Sequence, residues 1–337
     1  MNFLDVRTVI FSQLITDAVC MAVLGLLWWQ NRRRFGGMLF WVGDFIFQTL
    51  AVLLISLRGA IPDWLSLGVP NPLIITGSLM GLWGLERFAG KKLSRTLNNI
   101  FLAGFIFAHF YFIYAQNNLD VRNLVLSLGL FVFCFQCAWL MLSGAGDRLL
   151  HTSKLVGWVF ALFCLTSLIR IFILLANPLV TNDFFQTGLY DRLILVVYQV
   201  LLILLTFSLV LMINCRLLRQ VQTQEEKFTK AFHSSPYAIL ITRLVNGLIL
   251  DVNHSFEKMT GYLPSEAIGK TTLDLNLWVK EDDRQTVLSE LSARGEVQGL
   301  EFPFRTKSGQ ILTGLVYAEI LTVENEQLIL SSINDIS

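Results

Sequence analysis

Residues 193–232 read LILVVYQVLLILLTFSLVLMINCRLLRQVQTQEEKFTKAF, and the character of the chain changes partway along them. From Leu193 to Met212 there is no charged residue, and at about 1.5 Å of helical rise per residue such a run covers a bilayer core of about 30 Å. Beyond it come Arg216 and Arg219, then Leu218, Val221, Glu225, Phe228 and Phe232 at 3-4-3-4 spacing, which aligns one stripe along a helix. That spacing suits a parallel two-stranded coiled coil, so Leu218, Val221 and Phe228 are expected to couple two copies in a homodimer. The other reading of the same stripe is a linker helix packed on its own domain.

Upstream, the same apolar character repeats. The chain of 337 residues is 54% hydrophobic and 15% charged, which leaves a soluble fold too little polar surface and makes membrane lipid a partner. Seven stretches approach membrane-crossing length: 9–29, 35–57, 72–88, 97–114, 124–142, 155–175 and 193–212. Pro70, Asn71 and Pro72 stand at the entrance of the third, where they fit a loop and a first helical turn better than a helix interior, so residues 61–69 are expected on the outer surface. Lys and Arg gather in alternate loops: Arg32, Arg33 and Arg34; Arg87, Lys91, Lys92 and Arg95; Arg148 and Lys154; Arg216 and Arg219. The other set offers Arg7, Arg58, Arg122 and Arg192. Because cytoplasmic loops hold the basic residues, the N-terminus is expected in the periplasm and the C-terminal region in the cytoplasm. Asp5 and Arg7 precede the first span and no small-residue cleavage site follows it, so it reads as a retained span.

Ionisable groups inside such spans are costly and need a reason. Asp17, His109 and Arg170 lie roughly 12, 8 and 8 Å from the outer ends of their spans by helical rise. They are expected to meet, either as an Asp17–Arg170 ion pair or as a polar pocket for a ligand; Asp44 sits nearer mid-span and is less easily joined to them. The five cysteines (Cys20, Cys134, Cys137, Cys164 and Cys215) lie in or beside apolar runs and suggest no disulfide framework. A net charge of +1 gives no pull on nucleic acid.

Downstream, the period changes to that of strands. Ala238 to Thr242 and Leu248 to Val252 flank Asn246-Gly247, a tight-hairpin dipeptide. Residues 281–293 have helical spacing, 297–305 and 311–320 alternate around Lys307-Ser308-Gly309, and 327–333 form a last strand. The expected domains are 1–212, a seven-helix membrane bundle; 213–234, a signalling helix; and 235–337, an α+β domain with a five-stranded antiparallel sheet.

Within the last of these, Asn253, Phe256, Thr260, Gly261 and Tyr262 are followed by Pro264, Ser265, Glu266 and Gly269-Lys270. This run resembles the PAS family, as do Trp278, Asp282-Asp283-Arg284, Glu301 and the closing Asp335-Ile336-Ser337. Upstream, Arg58, Ile61 to Ser66, and Gly84 to Phe88 with Gly90 resemble the membrane region of bacterial PAS-linked diguanylate cyclases and histidine kinases. The resemblance implies a sensor of the bacterial inner membrane, acting in cyclic di-GMP or two-component signalling. Asp335 marks the place where PAS domains hand over to an output helix, so an output domain beyond residue 337 is expected, the alternative being a stand-alone adaptor that dimerises and binds a separate partner protein. A transporter or membrane enzyme is a third reading, but only the third span hints at the broken helices that transporters use.

A haem-binding PAS domain would need a proximal His on the helix 281–293, and a covalent flavin would need a Cys; neither is present after Cys215. No haem, covalent flavin or metal is therefore expected, while Trp278 and Asn253 leave room for a noncovalent flavin or another small ligand. No phosphate-binding Gly-rich loop, phosphoacceptor His motif or catalytic carboxylate pair is visible, so no catalytic residue is assigned within the chain.

Overall fold

In the computed structural model, residues 5–92, 94–143, 150–176, 185 and 188–337 are described. The apolar runs form helices α1 (Val6–Asn31), α2 (Met38–Ser56), α3 (Pro70–Ala89), α4 (Arg95–Tyr114), α5 (Leu119–Ser143), α6 (Leu150–Ala176) and α7 (Leu189–Ser234). All seven are long and apolar enough to cross a membrane. The chain divides into two compact units, Met1–Leu218 and Arg219–Ser337. Arg148, counted above among the basic residues of the inner loops, lies outside the described residues.

In the first unit the usual distribution of side chains is inverted. Phe11, Leu26, Phe107, Phe172 and Phe207 are exposed, whereas Asp17, His109, Arg122, Ser127, Ser167 and Arg170 are buried. Water-soluble proteins bury apolar groups and keep charges outside. The first unit departs from that rule at these positions. Its core is nonetheless closely packed around Phe45, Ile75, Leu79, Phe133 and Met212.

Small residues decide how closely α2 and α3 approach. A Cβ added at Gly77 would lie 2.7 Å from Asp44 Oδ1, and one at Gly81 would lie 2.6 Å from Asp44 Oδ2. The Asp44 carboxylate is thus seated against the bare backbone of α3 by a small-xxx-small stripe. Ahead of α3, Trp64–Gly68 is a π-helical turn in which Ser66 and Gly68 are buried. Pro70 follows at the first helical position, where a missing N–H costs nothing, so it starts α3 and does not interrupt it.

The second unit has the five antiparallel strands expected: β1 (Ala238–Arg243), β2 (Ile249–Val252), β3 (Glu296–Arg305), β4 (Ile311–Val323) and β5 (Glu326–Asp335), in the order β2-β1-β5-β4-β3. Asn246-Gly247 turns the first hairpin with Gly247 at φ +69°, where L side chains are disfavoured. Glu324 and Asn325 both adopt positive φ in the β4–β5 turn, the backbone of a two-residue primed turn. The helices α8 (His254–Thr260), α9 (Pro264–Ala267) and α10 (Glu281–Arg294) complete the unit. Phe256, Ala267, Val287 and Leu291 from these helices join Leu240, Ile249, Val316 and Ile333 of the sheet in one core.

Candidate functional site

Two cavities lie among the helices of the first unit. The inner one, of about 140 Å³, is lined by Asp17, Asp44, Gln48, Arg170 and Tyr198 among apolar neighbours. The other, of about 120 Å³, is lined by Arg58, Ser66, His109, Arg122, Asn123 and Arg170 together with an aliphatic wall. It sits where the chain enters α1, α3, α5 and α7 and leaves α2, α4 and α6. Gln13 and Arg170 line both cavities, so Arg170 stands at their junction.

Sequence spacing brings Asp17, His109 and Arg170 to this region, and the structure divides them. Asp17 and Arg170 share the inner cavity and His109 and Arg170 the other. The expected Asp17–Arg170 ion pair is not formed: both Asp17 carboxyl oxygens and Arg170 Nε are buried without a hydrogen-bond partner. Asp44, set apart above because of its depth, in fact lines the cavity with Asp17. Only its placement against Gly77 and Gly81 brings it there, and depth along one helix carries no information about that. His109 stacks on Phe105 at 6.0 Å, and its Nε2 lies 3.3 Å from Leu67 O, on the π-helical turn.

Sequence reading missed most of the second cavity. Arg122 and Asn123 sit in the first turns of α5, where they pass for loop-flanking polar residues. Their signal was present: two polar residues that interrupt the entry to an apolar run, 6% and 5% exposed in the structure. Arg122 Nε, Asn123 Nδ2 and Ser66 Oγ are buried and unpartnered, as is Arg170 Nε.

The second unit holds a cavity of about 70 Å³ between sheet and helices, lined by Leu240, Phe256, Thr272, Trp278, Arg284 and Phe304 among others. An engineered cavity of about 150 Å³ takes one benzene ring. The cup of the second unit is narrower than that. Trp278 lines it but is held in place, with Phe304 at 4.8 Å, Phe302 at 5.8 Å and its Nε1 donating to Thr272 Oγ1 at 3.1 Å. Asn253, expected at a ligand, is fully buried and does not line the cup. Its Oδ1 accepts from Ile239 N and Phe256 N, and its Nδ2 donates to Phe232 O and Tyr237 O. All its capacity is used to join the end of α7, β1 and the start of α8, which leaves nothing for a ligand. Among the described residues no three His, Cys, Asp or Glu side chains converge as metal ligands.

Around the cup, Lys307 Nζ donates to both Glu266 carboxylate oxygens at 2.7 Å, and Glu266 also accepts from Leu263 N. The Lys307 contact first and the Leu263 amide second hold the Glu266 carboxyl below its ordinary value. Asp274 is likewise lowered, by the Thr271 amide and then the Thr271 hydroxyl. Asp335 closes β5 opposite Gly314, and its Oδ1 accepts from Ser337 N. Leu218, Val221 and Phe228 are each about 60% exposed on α7, at 63%, 60% and 59%.

The family described as PAS fold matches residues 226–336. Solved structures similar to the chain include the PAS domain of an HTR-like protein from Haloarcula marismortui, at 25% identity and TM-score 0.32, covering 36% of this chain and 98% of that one. The PAS domain of a protein from Colwellia psychrerythraea is 27% identical at TM-score 0.30, with 33% and 95% covered. A PAS domain in complex with ethanol, from a LuxR-family transcriptional regulator of Burkholderia thailandensis, is 16% identical at TM-score 0.28, with 32% and 96% covered. No curated protein matches the chain. With its five-stranded antiparallel sheet, the N-x-x-F-x-x-x-T-G-Y run and that match, residues 226–336 are a PAS domain, carried behind a region of seven long apolar helices.

Proposed function

We propose that the chain is the receptor part of a bacterial membrane-bound signalling protein. The seven helices span the inner membrane with the N-terminus in the periplasm, and the PAS domain lies in the cytoplasm. The observation that carries this reading is the inverted helical unit, with phenylalanine and leucine on its surface and Asp17, His109, Arg122 and Arg170 inside. Lipid tolerates that surface and water does not.

In this reading a ligand received among the helices shifts α7, and two copies paired along Leu218, Val221 and Phe228 carry the shift to their PAS domains. A helix that crosses the membrane and continues into water supplies a stiff element for the relay, and α7 is 46 residues long. The PAS domain works without haem, covalent flavin or metal and hands the signal, at Asp335, to a diguanylate cyclase or histidine kinase that follows residue 337. The second reading is an adaptor that dimerises and binds a separate partner. It draws on the same exposed stripe.

The test is the coding sequence after the Ser337 codon, followed by an assay of the full product. A downstream domain that makes cyclic di-GMP from GTP, or that phosphorylates itself from ATP, supports the relay. A stop codon contradicts it and leaves the adaptor.

A further inference from the structure

At the cavity that Asn123 lines, four buried polar atoms lack a hydrogen-bond partner among the described residues. Ser66, Arg122, Asn123 and Arg170 are 3%, 6%, 5% and 5% exposed, and Ser66 Oγ, Arg122 Nε, Asn123 Nδ2 and Arg170 Nε have no hydrogen-bond partner. A buried donor without an acceptor is costly, the more so when it is charged, so four around one cavity call for a compensating acceptor. Among the described residues the lining includes three arginines and no carboxylate. Asp191, in the first turn of α7, is within electrostatic reach of Arg170 but does not line the cavity.

We propose that this cavity binds a short-chain organic monocarboxylate. The sign follows from the arginines, whose planar forks match a carboxylate in two-point contact. The size follows from the volume of about 120 Å³, below that of a cavity that accepts benzene, which limits the ligand to about six heavy atoms. The tail follows from the aliphatic side chains of Ile10, Val52, Ile55, Leu126 and Leu195, which wall the same cavity. A fully polar anion such as phosphate would turn oxygens against that wall, whereas a two- to four-carbon acid presents methylene groups to it. This inference names the ligand class for the receptor reading and takes from that reading only the side of the membrane on which the cavity opens.

The test uses the full chain in lipid nanodiscs, with melting temperature and calorimetric binding measured for acetate, propionate, butyrate, octanoate, propionamide and inorganic phosphate. Propionate and butyrate are expected to bind saturably and raise the melting temperature; octanoate, propionamide and phosphate are not. Arg122→Gln and Arg170→Gln should each weaken butyrate by about tenfold, the loss of one charge-assisted hydrogen bond. If either variant fails to fold, Arg122→Lys is measured in its place. It keeps the charge without the fork and should weaken butyrate by less than Arg122→Gln. Absence of saturable carboxylate binding, binding of phosphate in its place, or binding unmoved by every arginine substitution overturns the proposal. Binding is measured in nanodiscs open on both sides, so its failure is separate from a failure of the predicted membrane direction.

Discussion

Asn253 shows what one side chain can hold together. Four hydrogen bonds from a fully buried amide satisfy two backbone N–H groups and two carbonyls that would otherwise be left dry. One of them is the N-cap of α8. Asn253→Ala is expected to destabilise the Arg219–Ser337 unit by about 2–4 kcal/mol, summing a lost cap and stranded partners, and urea denaturation measures it. Asn253 passed for a ligand contact in the sequence because a one-dimensional pattern does not say whether a polar group is already satisfied. Glu266 gives a pH dependence with a definite sign. Its folded-state carboxyl is lowered by Lys307 and Leu263, so the unfolded chain binds the proton more readily in the window below the ordinary value of 4.5. The contribution is fully present above that value and is lost as pH falls through the folded value. Stability of the PAS unit should therefore decline on acidification below about pH 4.5, and Glu266→Gln should flatten that part of the profile.

At the scale of elements, helix existence was legible nearly throughout, since uninterrupted apolar length is a strong signal; the ends were less so. The π-helical turn Trp64–Gly68 was not legible, because the short run before Pro70 carries no helical period of its own, whereas Pro70 and Pro72 did mark the start of α3. The strands and turns of the PAS domain were legible from period and from Asn246-Gly247. The closeness of α2 and α3 was not, because it depends on which glycines face which side chain. Gly81→Leu should push these helices apart and displace Asp44, at a cost of about 1–3 kcal/mol, seen as a lower melting temperature in nanodiscs. The exposed stripe on α7 carries the proposed pairing. Single cysteines at Val221 and Phe228 should crosslink between copies, and Val221→Asp should suppress the crosslink at Phe228→Cys by placing unpaired charge in the seam. Crosslinks confined to other parts of the protein would contradict it.

At the scale of the molecule, the two units differ in which side chains they expose. The PAS domain keeps apolar groups inside, around Phe256 and Ile249, and charges outside. The helical unit has an apolar core too, but it also exposes many phenylalanines and leucines, and its buried Asp17, Ser66, His109, Arg122, Asn123 and Arg170 line two adjoining cavities that share Arg170. Composition already separated these regimes, and the resemblance of residues 253–262 to PAS domains carried the second. The cavities were only half legible: the charged residues stand out within apolar runs, but which of them meet is set by helix rotation and packing. The receptor account depends above all on the helices lying in a membrane with that cavity end outward. The direct measurement is labelling with a membrane-impermeant maleimide, in intact spheroplasts and after lysis, of Asn117→Cys and Lys280→Cys in a background whose five cysteines are replaced by alanine. Both positions are exposed. The account predicts that Asn117→Cys reacts in intact spheroplasts and that Lys280→Cys reacts only after lysis. The reverse pattern, or equal reaction of both before lysis, would contradict it.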